Sequence, residues 1–370
     1  MNSRFYNRRT FLKQATCGLF LSGASAGLHA GQAEWKKANY FVLREGNLVQ
    51  CTLCPWQCVI APGTRGHCGV RLNRNGTLYS LVYGQIAANH VDPIEKKPFY
   101  HFLPGELAYS IATAGCNLDC KFCQNWELAQ RKPEEIYSLP QTPEQIVAET
   151  ARSKANVIAY TYNEPTVFAE YMADIACIAR EKGIKNVVVS SGYINKKPLE
   201  DLCRYIDAYK IDLKSFSDLY YRKVVNGKLQ PVLDTLLRLK DMHVWTEIVY
   251  LVVPTLNDNS DEVGQMCQWV VNNLGPDVPL HFSKFYPQYK LRNLPPTPVS
   301  TLEACYQIAL DSGLNYVYLG NIPGDPGENT KCPSCHQLLI QRKGYRVYKN
   351  HIQNGTCPYC QTQIPGVWKT

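Results

Sequence analysis

From about residue 106 to residue 320 the chain alternates between two kinds of segment, and that alternation constrains the fold more than any other feature. Ala108–Ala114, Val157–Thr161, Val187–Ser191, Tyr209–Leu213, Trp245–Val253 and Leu280–Phe285 are short, apolar and rich in β-branched or aromatic residues, as strands are. Between them lie amphipathic stretches at helical spacing: Pro143–Ala155, Val167–Lys182, Leu229–Lys240, Ser260–Asn273 and Thr301–Gly313. Pro143 at a helix start and Gly183 just past a helix end follow the usual capping asymmetry. Tyr316–Leu319 is a candidate final strand. Strands joined through helices pair in parallel, so the predicted class is α/β, with a curled, incomplete barrel of six or seven units.

The flanks differ from this core. Residues 38–105 are punctuated by Pro55, Pro62-Gly63, Gly66 and Gly69, which predicts a small cysteine-rich module without a helical layer. Pro and Gly from Pro323 onward mark a linker, and residues 325–370 form a second small module. Near the N-terminus, Asn7-Arg8-Arg9-Thr10-Phe11-Leu12-Lys13 precedes a weak apolar stretch, Cys17 to Leu28. Residues 1–30 therefore resemble a twin-arginine export signal, with cleavage expected after Ala26 or Ala30. The stretch is too short and too weak for a transmembrane helix. The net charge of +8 is spread without a basic run, which argues for a solvated surface and against a nucleic-acid partner.

Sixteen cysteines carry most of the remaining information. Cys177, Cys203, Cys267 and Cys305 sit singly in helical stretches and are expected to be small buried hydrophobes. Cys51, Cys54, Cys58 and Cys68 cluster within eighteen residues and suit a zinc ion or a second cluster, with a disulfide framework as the rival. Cys332-Pro333-Ser334-Cys335 and Cys357-Pro358-Tyr359-Cys360 form two knuckles about twenty residues apart, the spacing of a zinc ribbon. Such a site is structural or a docking surface, because four thiolates leave no open position.

Cys116, Cys120 and Cys123 stand at C-x-x-x-C-x-x-C in the loop directly after the first strand. Iron in clusters is soft enough to favour thiolates, and this spacing lets three of them converge on corners of a [4Fe–4S] cubane. No fourth cysteine follows until Cys177, so one iron would keep an open coordination position. The plain alternatives are a zinc site lacking a ligand, or three unrelated thiols.

At this loop the sequence resembles the radical S-adenosylmethionine superfamily, over residues 106–320. The resemblance implies an enzyme in which the open iron chelates the methionine moiety of S-adenosylmethionine. One-electron reduction would then release methionine and a 5′-deoxyadenosyl radical that abstracts hydrogen from a substrate. It also implies an external electron donor and site residues. Glu164, in Thr161-Tyr162-Asn163-Glu164, stands where the family has Gly-Gly-Glu and would accept from the ammonium group, with Asn163 beside it. Tyr162 and Asn163 replace the two glycines. Asp212 and Lys214, in Lys210-Ile211-Asp212-Leu213-Lys214, would hold the ribose and carboxylate, the rival being a rim ion pair. His281 is either a cavity residue or a core histidine.

Further strings place the resemblance in the branch related to the pyruvate formate-lyase activating enzyme, specifically the AmmeMemoRadiSam-system radical enzymes. They are Cys51-Thr52-Leu53-Cys54-Pro55-Trp56-Gln57-Cys58, Gly66-His67-Cys68-Gly69, Val253-Pro254-Thr255-Leu256-Asn257-Asp258, Tyr286-Pro287-Gln288-Tyr289 and Tyr318-Leu319-Gly320-Asn321. That branch implies Memo-type and AMMECR-type partners and a substrate that could be a protein. The competing class is a non-catalytic iron–sulfur or zinc protein that carries electrons or binds a partner on the same scaffold. S-adenosylmethionine is a cytoplasmic supply, whereas the leader points outward.

Overall fold

The computed structural model describes residues 35–322 and 326–369, so the leader, Cys17 included, and the start of the linker lie outside the described residues. An eight-stranded sheet forms the frame. In chain order its strands are β1 (Ala88–Pro93), β2 (Leu107–Ala112), β3 (Val157–Tyr160), β4 (Lys185–Ser190), β5 (Ala208–Asp212), β6 (Trp245–Val252), β7 (Leu280–Lys284) and β8 (Val317–Gly320). They lie side by side in that same order. β2 to β8 are mutually parallel, with Val157 level with Ala108, Tyr209 with Val188, and Leu280 with both Ile248 and Val317. The six strands read from the sequence are all present, and Val317–Gly320 makes the seventh.

β1 was not legible as part of this sheet. It pairs antiparallel with β2, Ala88 opposite Ala112, although it falls inside the stretch read as the cysteine-rich module. Helices Pro143–Arg152, Ala169–Glu181, Gln230–Asp241, Ser260–Asn273 and Val299–Asp311 connect the strands. Thr142 starts the first with a reciprocal capping box to Gln145, and Asn259 caps the fourth through Asp261 and Glu262. Lys196–Leu202 is a further short helix that the sequence pattern did not indicate.

The inner face of the sheet is filled in layers. The connection between β1 and β2 inserts Ile94, Phe99, Phe102 and Leu103 against Ala108, Val157, Ala159, Val187 and Ala208. Small residues on the strands leave room for the phenylalanines, which is how a curled sheet closes its base without a void. Above this layer, Glu247 of β6 accepts the backbone N–H groups of Tyr100 and His101 at 2.9–3.0 Å and also meets His281 Nε2 at 2.7 Å. The end beyond that layer is left for a cavity.

Two cysteine-bearing modules dock on this frame. The first holds two three-stranded antiparallel sheets, joined to the core by the buried Arg71–Glu170 pair and by Asn195, whose amide donates to the carbonyls of Thr52 and Cys54. The second is a three-stranded ribbon, Thr330–Lys331, Leu338–Lys343 and Arg346–Asn350, whose Leu339, Ile340 and Ile364 pack on Tyr100, Tyr316 and Tyr318. Among the described residues no helix is long and apolar enough to cross a membrane.

Candidate active site

The loop 113–125 leaves β2 and is tied down at many points. Gly115 takes φ +87° and is pressed on Cys68 and Val70 so closely that a Cβ there would stand 2.8 Å from the Cys68 carbonyl. Asn163 donates to the carbonyls of Ala114 and Gly115, and Gln130 donates to that of Leu118. A short π-helical turn, Tyr221–Val225, accepts the N–H groups of Asp119 and Lys121 through its last two carbonyls. Farther along the chain, Gln288 donates to the Gln124 carbonyl and Tyr289 stacks on Trp126, so the string Tyr286–Tyr289 acts as a brace for the loop. Asn125 Nδ2 in turn donates to the carbonyl of Tyr162 at 2.8 Å.

Cys116, Cys120 and Cys123 reach one cavity of about 380 Å³, which Glu164, Asp212 and Lys214 also line. Among the described residues no fourth cysteine lines it. Three soft thiols converging on a polar cavity are a donor set that suits an iron–sulfur cluster with one corner left for another ligand. Burial pushes all three thiols up from their ordinary value, so binding metal there releases protons. A larger hollow of about 670 Å³ over Tyr83, Pro140 and Asp174 contains none of these cysteines.

Glu164 lies in the cavity wall but is already engaged. One carboxylate oxygen accepts from Thr166 N, Thr166 Oγ1 and Ser190 Oγ at 2.7–3.1 Å, and the other from Ser191 N and Ser191 Oγ at 2.5–2.8 Å. A carboxylate has about four lone-pair positions, so these donors fill it. Glu164 thus orients the Ser190 and Ser191 hydroxyls at the end of β4. Tyr162 adopts φ +67°, the left-handed conformation that a glycine takes without strain, and its hydroxyl donates to Asp92 at 2.7 Å. The backbone turn is therefore kept without glycine, at a conformational cost.

Asp212 stands between two ammonium groups, Lys210 and Lys214, all three on one face of β5 and its extension. Its 32% side-chain exposure is to the cavity it lines. Burial disfavours its charge, but Lys210 and Lys214 outweigh that and hold its carboxyl below the usual range. Lys210, whose own value is lowered by burial, is a further member of the site that the motif resemblance does not assign. The period of two along the strand would have flagged it. Asn257, in the Val253–Asp258 string, donates to the backbone carbonyl of Lys214 at 2.8 Å and so fixes where that chain turns.

His281 is not at the cavity. Its place is the Glu247 pair beneath, which makes it a core histidine. Sequence reasoning missed the basic lip of Lys96 and Lys97, both bonded to Asp92, and it missed Tyr345 at the tip of the ribbon hairpin, which also lines the cavity. No pattern marks these, because a loop and a distant module bring them in. The four ribbon cysteines lie with all sulfurs within 4.8 Å of one another. Cys332–Cys360 and Cys335–Cys357 are 3.5 and 3.7 Å apart, near the ~3.8 Å edge of a tetrahedron built on zinc–sulfur bonds. Cys267 and Cys305 are buried in the core, whereas Cys177 and Cys203 are half-buried.

A family model described as the radical SAM superfamily matches residues 110–269. An uncharacterized protein of Methanocaldococcus jannaschii is 43% identical over 331 residues, spanning 89% of this chain and 98% of that protein. The pyruvate formate-lyase-activating enzyme of Clostridium pasteurianum is 24% identical over 200 residues, 49% of this chain and 80% of that enzyme. Among solved structures, a domain of pyruvate-formate lyase-activating enzyme from Bacteroides vulgatus aligns with a TM-score of 0.40 at 17% identity, over 44% of this chain and 98% of that one. A radical SAM methyltransferase from Sphaerobacter thermophilus aligns with a TM-score of 0.48 at 15% identity, over 64% and 71%.

Proposed function

We propose that this chain, whose residues 110–269 form a radical SAM superfamily domain, is an enzyme whose Cys116, Cys120 and Cys123 hold a [4Fe–4S] cluster beside bound S-adenosylmethionine. The observation that carries this is the meeting of the three thiols with Lys210, Asp212 and Lys214 in one cavity. When bound, the cluster and cofactor supply reductive cleavage of the sulfonium and a carbon radical able to take hydrogen from a substrate. The protein's share is placement. Asn163 fixes the loop that carries Cys116, and Asp212 and Lys214 offer an acceptor and a cation for the ribose and the carboxylate of the cofactor. Glu164 works through the Ser190 and Ser191 hydroxyls that it holds, which can then face the cofactor's ammonium group.

Likeness to activating enzymes supports a protein substrate, and the branch resemblance supports Memo-type or AMMECR-type proteins as partners. The ribbon is assigned one structural zinc, and the leader export.

Anaerobically reconstituted protein given S-adenosylmethionine and a chemical reductant should yield methionine and 5′-deoxyadenosine, and changing the three cysteines to Ala should abolish both products and the cluster's visible absorbance. Release of 5′-deoxyadenosine by that triple variant would refute the assignment. Deuterium transfer from labelled candidate proteins into 5′-deoxyadenosine tests the substrate class. Fractionation with Arg8 and Arg9 changed to Lys tests export.

A further inference from the structure

Behind the Cys116 loop, Cys51, Cys54, Cys58 and Cys68 line a second, separate void, together with Arg71 and Asn117. None of the four is in a disulfide. Arg71 is 1% exposed and gives one terminal nitrogen to Glu170 at 2.5 Å. Its Nε and other terminal nitrogen have no partner. Two idle donors on a buried guanidinium are costly unless something anionic meets them. We infer that these four cysteines hold a second [4Fe–4S] cluster, which passes electrons toward the Cys116 loop.

Spacing selects the cluster over a single ion. Among the described residues, only the ribbon gathers three or more sulfurs within 4.8 Å of one another. A tetrahedral zinc needs that compactness, whereas a cubane spreads its thiolates over four separate corners. The Cys51 quartet has the looser arrangement, as the Cys116 triad does. Four thiolates outweigh the positive charge of the cubane, so the assembly is anionic and meets the free nitrogens of Arg71.

Placement gives the role. The Cys68 carbonyl is packed against Gly115, one residue before Cys116. Trp56, between Cys54 and Cys58, donates its indole N–H to the Asn117 carbonyl at 2.7 Å. A low-potential one-electron donor protein would reduce this cluster by one electron, which then leaves toward the loop, with no bond made or broken. The relay rests on the function proposed for the loop; the metal assignment does not.

The test is metal and sulfide analysis of anaerobically reconstituted full-length chain carrying Cys116→Ala, Cys120→Ala and Cys123→Ala. It should keep about four irons and four sulfides, and adding Cys54→Ser with Cys68→Ser should remove them while the ribbon's metal stays. An iron-free triple variant with extra zinc, or a disulfide among the four by mass spectrometry, overturns the inference. Should the triple variant fail to fold, the reduced wild-type chain decides. Two paramagnetic signals are expected, only one of which shifts with S-adenosylmethionine, and a single signal overturns the assignment. Arg71→Gln should make the potential of the insensitive signal more negative, and Arg71→Lys should largely restore it. Loss of 5′-deoxyadenosine formation with both signals intact would instead refute the proposed enzyme function.

Discussion

The Tyr318 hydroxyl donates to Nε2 of His101 at 2.6 Å. The direction follows from the other ring nitrogen, which must donate to the Pro365 carbonyl at 2.7 Å because a carbonyl only accepts. Tyr318 therefore accepts from Thr330, whose oxygen accepts from Arg342. One neutral histidine thus ends a chain of hydrogen bonds that joins the ribbon to the floor of the sheet.

That histidine gives the first prediction. Burial lowers His101 to about 4 from an ordinary value of 6.5. The folded state binds its proton later than the unfolded state does, so the stability is present above about pH 6.5 and drains away as pH falls toward 4. The loss is at most about 3 kcal/mol. Denaturant titrations between pH 7.5 and 4.5 should show it, and His101→Gln should flatten that part of the profile.

Glu95 should act with the opposite sign. It is fully buried, accepts from Gly105 N at 2.9 Å, and has one carboxylate oxygen without a partner. Burial outweighs the Arg342 charge 3.7 Å away and raises its carboxyl to about 7 from 4.5. Its protonated form favours folding below about pH 4.5, and that contribution is lost as pH rises through 7. Glu95→Gln should therefore gain relative to wild type between pH 4.5 and 7.5, by up to about 3 kcal/mol, read as a shift in denaturation midpoint.

These two residues mark the boundary of what the chain's pattern reveals. The strands of the parallel sheet and the Cys116 loop follow from periodicity and spacing, which are local. Asp212 and Lys214 came from the family resemblance, and alternation along one strand adds only that the two share a face. The connection carrying Glu95 and His101 was assigned to the N-terminal module, because loop residues have no period that shows a barrel floor awaiting phenylalanines. Glu164 illustrates another limit. Its position beside β3 was readable, but the saturation of its carboxylate by Ser190 and Ser191 depends on a neighbouring strand twenty-six residues away.

Gly115→Ala should be far more damaging than an exposed glycine change. The residue has φ +87°, and the new Cβ would stand 2.5 Å from Val70 Cγ1 and 2.8 Å from the Cys68 carbonyl. Left-handed backbone alone costs about 1–2 kcal/mol for a residue with a Cβ, and the carbonyl cannot swing away as a side chain could. The loop must shift and carry Cys116 with it. Iron content after reconstitution should fall several-fold while helical circular dichroism is kept. Gly183→Ala, where no atom lies within 4 Å, should retain iron.

Stability and cofactor affinity should separate at Asp212. Replacing it by Asn leaves the Lys210 ammonium, buried beside it, without its carboxylate. Breaking a fully buried pair from one side costs about 3–5 kcal/mol, and because Asp212 faces the cavity the loss here should be about 2 kcal/mol. Changing Lys210 to Met as well removes the more deeply buried of the two orphaned ammonium groups and leaves only Lys214, so Lys210→Met/Asp212→Asn should recover part of that stability. Affinity should behave differently. If Asp212 accepts from the ribose, both variants put a neutral amide oxygen in place of the charged carboxylate, a weaker acceptor, and both should bind S-adenosylmethionine about tenfold more weakly, a loss of about 1.4 kcal/mol. Titration calorimetry on reconstituted protein with unchanged iron content would measure this. Recovery of affinity together with stability in the double variant would show that Asp212 serves only to neutralise its two lysines.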